Sequence, residues 1–146
     1  MKKHIGHTLL IAMILTIVLV GCASTDDTGP VLLQVTGAVS GEKSFTEKDL
    51  EDLGTLDVQF TEKSGEVSTY TGTLVTGILD ATGLNADASG VVLVGDDGYE
   101  AEATLEEVQA CADCIITIHD DGSLQAVMPG FSGKLQVKGL VEIRVK

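Results

Sequence analysis

Cys111-Ala112-Asp113-Cys114 is the strongest local chemical motif in the chain. A Cys-x-x-Cys pair can form a disulfide, shuttle electrons, or supply half of a zinc site. A redox centre of the thioredoxin kind sets its first cysteine at a helix N-terminus, where the dipole stabilises thiolate. Here a helix is expected to end at the pair and a strand to begin after it. That places the thiols at a negative helix end beside Asp113, which raises a thiol pKa. Zinc would need two further ligands, and His119 is the only downstream histidine. A structural disulfide, buried thiols, a redox pair and a metal site all stay open, with the structural readings ahead.

The other reactive-looking residues are weaker. Asp96-Asp97-Gly98 and Asp120-Asp121-Gly122 offer oxygens, but neither continues into a calcium loop with a distal glutamate. Asp-Gly between apolar runs is a hairpin-turn signal. Gly130-Phe131-Ser132-Gly133-Lys134 could cradle an anion through backbone amides but lacks the spacing of a phosphate loop. Ser132 has no histidine near it in sequence, so a serine hydrolase is not expected.

Lys2 and Lys3 precede the apolar run Thr8–Val20, which closes on Leu19-Val20-Gly21-Cys22. As a helix that run would rise only about 20 Å, short of a hydrocarbon core of about 30 Å. It has the length of a signal-peptide hydrophobic region. Its end resembles the lipobox of bacterial lipoproteins, in which the cysteine becomes the first mature residue and carries lipid. The resemblance implies a signal peptide over residues 1–21, lipid attachment at Cys22, and an extracytoplasmic protein anchored to the cell membrane through the bilayer. An uncleaved anchor is the alternative.

Removal of residues 1–21 takes both lysines of that segment and no acid. The formal charge then moves from −13 to −15, with 7 basic against 22 acidic residues. Such a chain repels nucleic acid and anionic headgroups, so a nucleic-acid partner is not expected. Tryptophan is absent and aromatic residues make up 3%. The core must therefore be aliphatic, and stacking platforms for sugars or single strands are disfavoured.

Residues 22–30 are small, polar and turn-forming, and read as a flexible tether to a single folded unit over 31–146. Within that unit short strands are expected at Val31–Val35, Lys43–Phe45, Leu56–Phe60, Val67–Tyr70, Val91–Val94, Tyr99–Ala103, Ile115–Ile118, Leu124–Met128 and Gly139–Val145. Thr46 caps a helix that stops at Gly54, with Phe45, Leu50 and Leu53 facing the core. Further helices are expected over Thr73–Thr82 and Thr104–Ala110. Short helices set between hairpins give an α+β fold of mixed sheets.

The order of these pieces resembles the oxidoreductase molybdopterin-binding domain, the sulfite-oxidase fold. The matching segments are Val35–Val39, Tyr70-Thr71-Gly72 with Leu74, Ile78, Leu79, Ala81 and Gly83-Leu84, then Asp97-Gly98-Tyr99, Thr104–Glu107, Val127-Met128-Pro129-Gly130, and Gly133–Lys138 with Leu140–Ile143. The resemblance implies a molybdopterin cofactor and a pocket near Glu62, Tyr99, Phe131, Ser132 and Lys138. It also implies a metal-binding cysteine before the tyrosine segment. That stretch here, Asp57–Ser64, has none, and a soft metal centre of this kind needs a thiolate. In the loop matching the family's phosphate loop, Leu135–Gly139, only Lys138 keeps its charge in frame; Arg144 is the one arginine of the chain. The expectation is a fold inherited without the cofactor or metal: a non-catalytic module that binds a small ligand or docks on a membrane complex. A divergent molybdopterin oxidoreductase with Glu62 or Thr61 at the metal position is the first alternative. A thiol-disulfide protein acting through Cys111 and Cys114 is the second.

Overall fold

The computed structural model describes residues 29–146, so the segment 1–21, Cys22 and most of the tether lie outside the described residues. Among the described residues nine strands form two sheets. The five-stranded sheet runs β2 (Lys43–Thr46), β1 (Val31–Gly37), β9 (Leu140–Val145), β5 (Gly90–Gly95), β6 (Glu100–Thr104). Only β1 and β9 lie parallel in it. The four-stranded sheet runs β3 (Thr55–Thr61), β4 (Val67–Leu74), β7 (Ile115–Ile118), β8 (Leu124–Val127), all antiparallel. Helices α1 (Glu47–Asp52), α2 (Val75–Thr82) and α3 (Leu105–Gln109) are short. The fold is α+β with mixed sheets, as the sequence predicts.

One aliphatic core joins the inner faces of both sheets to the helices. Leu33, Val35, Val91, Leu93, Ile143 and Val145 come from the five-stranded sheet, Ile116, Leu124 and Ala126 from the other, and Leu50, Ile78, Leu79 and Val108 from the helices. The period-two alternation of β1 and β9 places these side chains on one face, and burial of each is worth about 1.5–3 kcal/mol. Val58, Ile115 and Val127 form a second, smaller cluster on the opposite face of the four-stranded sheet, with Phe60, Tyr70 and Leu74 packed around it.

Thr46 caps α1 as the sequence predicts. Its hydroxyl accepts from the Asp49 amide at 3.3 Å, and the Asp49 carboxylate accepts from the Thr46 amide at 2.8 Å. This reciprocal box satisfies two amides that the helix leaves without partners. Thr46→Ala is expected to cost about 1–2 kcal/mol in urea unfolding, with most of the loss restored by Thr46→Ser.

Two local expectations are corrected. Leu53 is 39% exposed rather than core-facing, because it is the C-cap of α1 and the helix ends before another turn can carry it inward. Helix α2 starts at Val75 rather than Thr73, because Thr73 and Leu74 are still paired with Ile116 and Ile115. The strand β4 is thereby longer than its apolar pattern suggests. It meets β7 only through Gly72–Leu74, so Val67–Thr71 have β3 alone as a strand partner. The outer part of the β3–β4 hairpin is thus a two-stranded arm, closed by the turn that follows Thr61.

Candidate functional site

That arm forms one wall of a concavity of about 590 Å³. Phe60, Thr61, Glu62, Lys63 and Ser64 line it from the end of β3 and the turn. Gln125 enters from β8, and Phe131, Gly133, Gln136 and Lys138 from the segment between β8 and β9. The turn is set by the Glu62 amide donating to the Glu66 carbonyl at 2.7 Å and the Gly65 amide to the Glu62 carbonyl at 2.9 Å.

The opposite wall is irregular and is shaped by one side chain. Gln136 accepts from the Met128 amide at 2.9 Å and donates to the Met128 carbonyl at 2.7 Å, so a single amide group replaces a strand neighbour. This closes the loop from Pro129 to Leu135 on itself, with one 3₁₀ turn at Gly133–Leu135 that sequence periodicity does not reveal. Gln125 is buried on the floor, and its carbonyl oxygen lies 3.0 Å from His119 Nε2. Lys138 bridges to Gln125 through its backbone, which brings its side chain to the rim.

Of the five residues implied for a pocket, the structure gathers Glu62, Phe131 and Lys138. Tyr99 and Ser132 stand outside, a correction to the expected set. Tyr99 follows the Asp96–Gly98 turn and is 43% exposed, its hydroxyl donating to the Lys134 carbonyl at 3.1 Å. Ser132 is the exposed residue that opens the 3₁₀ turn and does not line the concavity. Lys63, Gln125 and Gln136 were not singled out by sequence, because lysine in a turn and glutamine in a strand carry no signal until the two walls meet.

The electrostatics around Glu62 are simple. The Tyr70 hydroxyl donates to its carboxylate, and this hydrogen bond, aided by burial, holds the phenol above its ordinary pKa. Tyr70 is therefore a neutral donor near pH 7 rather than a base. No ammonium lies within ion-pair distance of Glu62 among the described residues.

A second concavity, of about 460 Å³, is lined by Glu47, Glu51, Thr71, His119, Asp120 and Asp121 among others. Asp120–Gly122 is a turn, with Gly122 at φ +81°. Asp121 accepts from the Ser123 hydroxyl and amide, which hold its carboxyl below the usual range. Among the described residues no group of three His, Cys, Asp or Glu side chains is placed to hold a metal ion.

Cys111 and Cys114 are joined by a disulfide between the end of α3 and the start of β7. Cys114 is fully buried, and its carbonyl accepts from the Val75 amide at 2.9 Å, tying the start of α2 to the same spot. The pair follows the C-terminal end of α3, the end whose partial negative charge disfavours thiolate. Neither cysteine lines either concavity.

The donor set of the larger concavity can be compared with a molybdopterin group. It offers two ammonium groups, two amides, two hydroxyls, one carboxylate and two aromatic faces. It has no sulfur. Arg144, the only arginine, is committed to Glu100 at 2.9 Å and Glu142 at 3.0 Å on the other sheet. A soft metal held by thiolate has no partner here, and the two lysines offer point charges in place of the bidentate guanidinium that such a phosphate normally meets. The residues present do not fit that group.

No family profile and no curated protein matches the sequence. Among solved structures, the chain is similar to the sulfane dehydrogenase SoxCD from Paracoccus pantotrophus, with a TM-score of 0.65 and 16% identity. The match covers 77% of this chain but 37% of the other, so the chain spans well under half of that protein. The likeness is one of fold: a distant molybdopterin-domain-like, sulfite-oxidase-like arrangement.

Proposed function

We propose that the protein is an extracytoplasmic lipoprotein whose sulfite-oxidase-like domain binds a small ligand without molybdenum and without catalysing redox chemistry. The observation that carries this reading is the donor set of the concavity between the β3–β4 turn and the 131–138 loop. Its lysines and glutamines bind polar oxygens well, and its aromatic walls bury an apolar body. Transition-metal chemistry needs a softer ligand than any of them. The signal segment and Cys22 support the location. The charge of −15 on residues 22–146 supports suspension from a lipid rather than adsorption to an anionic surface.

The test is elemental analysis of protein purified from an export-competent host that makes molybdopterin. The expected result is molybdenum far below one atom per chain. Stoichiometric molybdenum that survives dialysis would overturn the reading, and loss of that metal in Glu62→Ala would then assign it to this concavity.

A further inference from the structure

Cations are scarce in this domain, and where they go without a partner is informative. Lys43 lies 5.0 Å from the centre of the Phe45 ring. Lys48 pairs with Asp52, Arg144 with Glu100 and Glu142, and Lys146 with Glu102. Lys63, Lys134 and Lys138 have no carboxylate within ion-pair reach and no side-chain hydrogen bond among the described residues. Two of those three, Lys63 and Lys138, line the larger concavity from opposite walls. With 22 acidic residues in the chain, two unpaired ammonium groups facing one hollow are not what a uniformly solvated acidic surface would give.

One of them reaches across the hollow. A Cβ on Gly133 would come within 3.0 Å of the Lys63 Cε and 3.4 Å of its Nζ. The end of the lysine therefore lies close over the glycine, against the far wall of the hollow. Glu62 contributes one negative charge against the two positive ones, so the lining carries a net charge of about +1 in an otherwise anionic field. Phe60 and Phe131, both half-buried, supply flat apolar contact, and the buried Gln125 and the loop-closing Gln136 supply amide groups at the base.

We infer that this concavity is a site for a small aromatic organic anion, its carboxylate or phosphate held between Lys63 and Lys138 and its ring against Phe60 and Phe131. This rests on the reading of the domain as a ligand-binding module and names the class of ligand. Lysine is a point charge rather than a planar fork, so the site accepts either anionic head.

The test uses the full chain, matured in an export-competent host and held in neutral detergent, titrated calorimetrically with phenyl phosphate, benzoate, inorganic phosphate and the neutral analogue benzamide. Phenyl phosphate or benzoate is expected to bind, with benzamide and inorganic phosphate each about tenfold weaker or worse. Lys63→Met and Lys138→Met are each expected to weaken the aromatic anion about tenfold. Lys134→Met removes the same charge outside the concavity and is expected to leave the affinity unchanged. The inference is overturned by equal binding of benzamide, by inorganic phosphate binding as well as phenyl phosphate, by Lys134→Met weakening binding as much as Lys63→Met, or by no binding at all. These failures differ from that of the functional reading. Molybdenum in the native protein would sink the latter whatever the small anions do, whereas metal-free protein indifferent to ligand charge would sink only the anion site.

Discussion

Gly72→Ala is expected to destabilise the domain by about 3 kcal/mol or more and to abolish the larger concavity along with the fold around it. The added methyl would sit 2.4 Å from the Ile116 carbonyl oxygen, 2.8 Å from its carbon and 3.0 Å from the Thr117 Cα. All three are backbone atoms of β7, so no rotamer change relieves the clash and the strands must separate. The junction cannot absorb that, because β4 meets β7 through three residues only. Its neighbours share the register: Thr117 donates its hydroxyl to the Thr71 carbonyl at 2.8 Å, and the Val75 amide reaches Cys114. The same junction carries the hairpin arm, and hence Glu62 and Lys63, to the site. Gly77→Ala is the matched control. Its Cβ would meet nothing nearer than Leu74 Cβ at 3.9 Å, inside α2, where alanine is favoured over glycine by up to about 1 kcal/mol. Urea midpoints should therefore move in opposite directions for the two substitutions. A near-neutral Gly72→Ala would mean that the two strands are not joined in this way.

This glycine shows what the sequence makes legible and what it does not. Tyr70-Thr71-Gly72 is recognisable as a segment, but its reason is a carbonyl 44 residues away, and no local pattern encodes that approach. Signals that act within a few residues are readable. Thr46 with Asp49 marks the start of α1, and the Asp-Gly turns fold as expected, with Gly98 and Gly122 both near φ +80°. Alternation finds the strands, because a half-buried sheet writes its period into hydrophobicity. It does not say that β1 lies parallel to β9, or that β3 is an edge along which Leu56 can face water. The site divides in the same way. Glu62, Phe131 and Lys138 follow from segment order, while Tyr99 and Ser132 share those segments yet fall outside the concavity. Lys63 becomes visible only once the partners of the other cations are known, since an unpaired charge is a property of the assembled surface.

Replacement of Cys22 by serine is expected to be all-or-none in its effect on attachment. Signal processing of the lipoprotein kind requires the thiol, so intact-mass measurement of the wild-type chain should show residues 1–21 removed and acyl mass added to Cys22, with partition into the detergent-rich phase. Cys22→Ser should carry no acyl mass and keep the leading residues. If the wild-type chain itself keeps residues 1–21, the segment is an uncleaved anchor and the lipid reading fails. The physics makes lipid the controlling term. A buried acyl chain contributes about 0.8 kcal/mol per methylene, a single chain holds a protein only marginally, and several chains hold it firmly. Residues 22–146, with a charge of −15, would add only repulsion from anionic headgroups. That repulsion decays over about 8 Å at physiological salt. The residues between Cys22 and the first strand at Val31 can extend at most about 30 Å. If Cys22 carries lipid, a tether of that reach would clear the repulsive layer and still keep the domain at the membrane, and anchoring would then depend on the lipid alone. High salt should leave the wild-type chain in the membrane fraction, whereas a chain held by surface charge would be released.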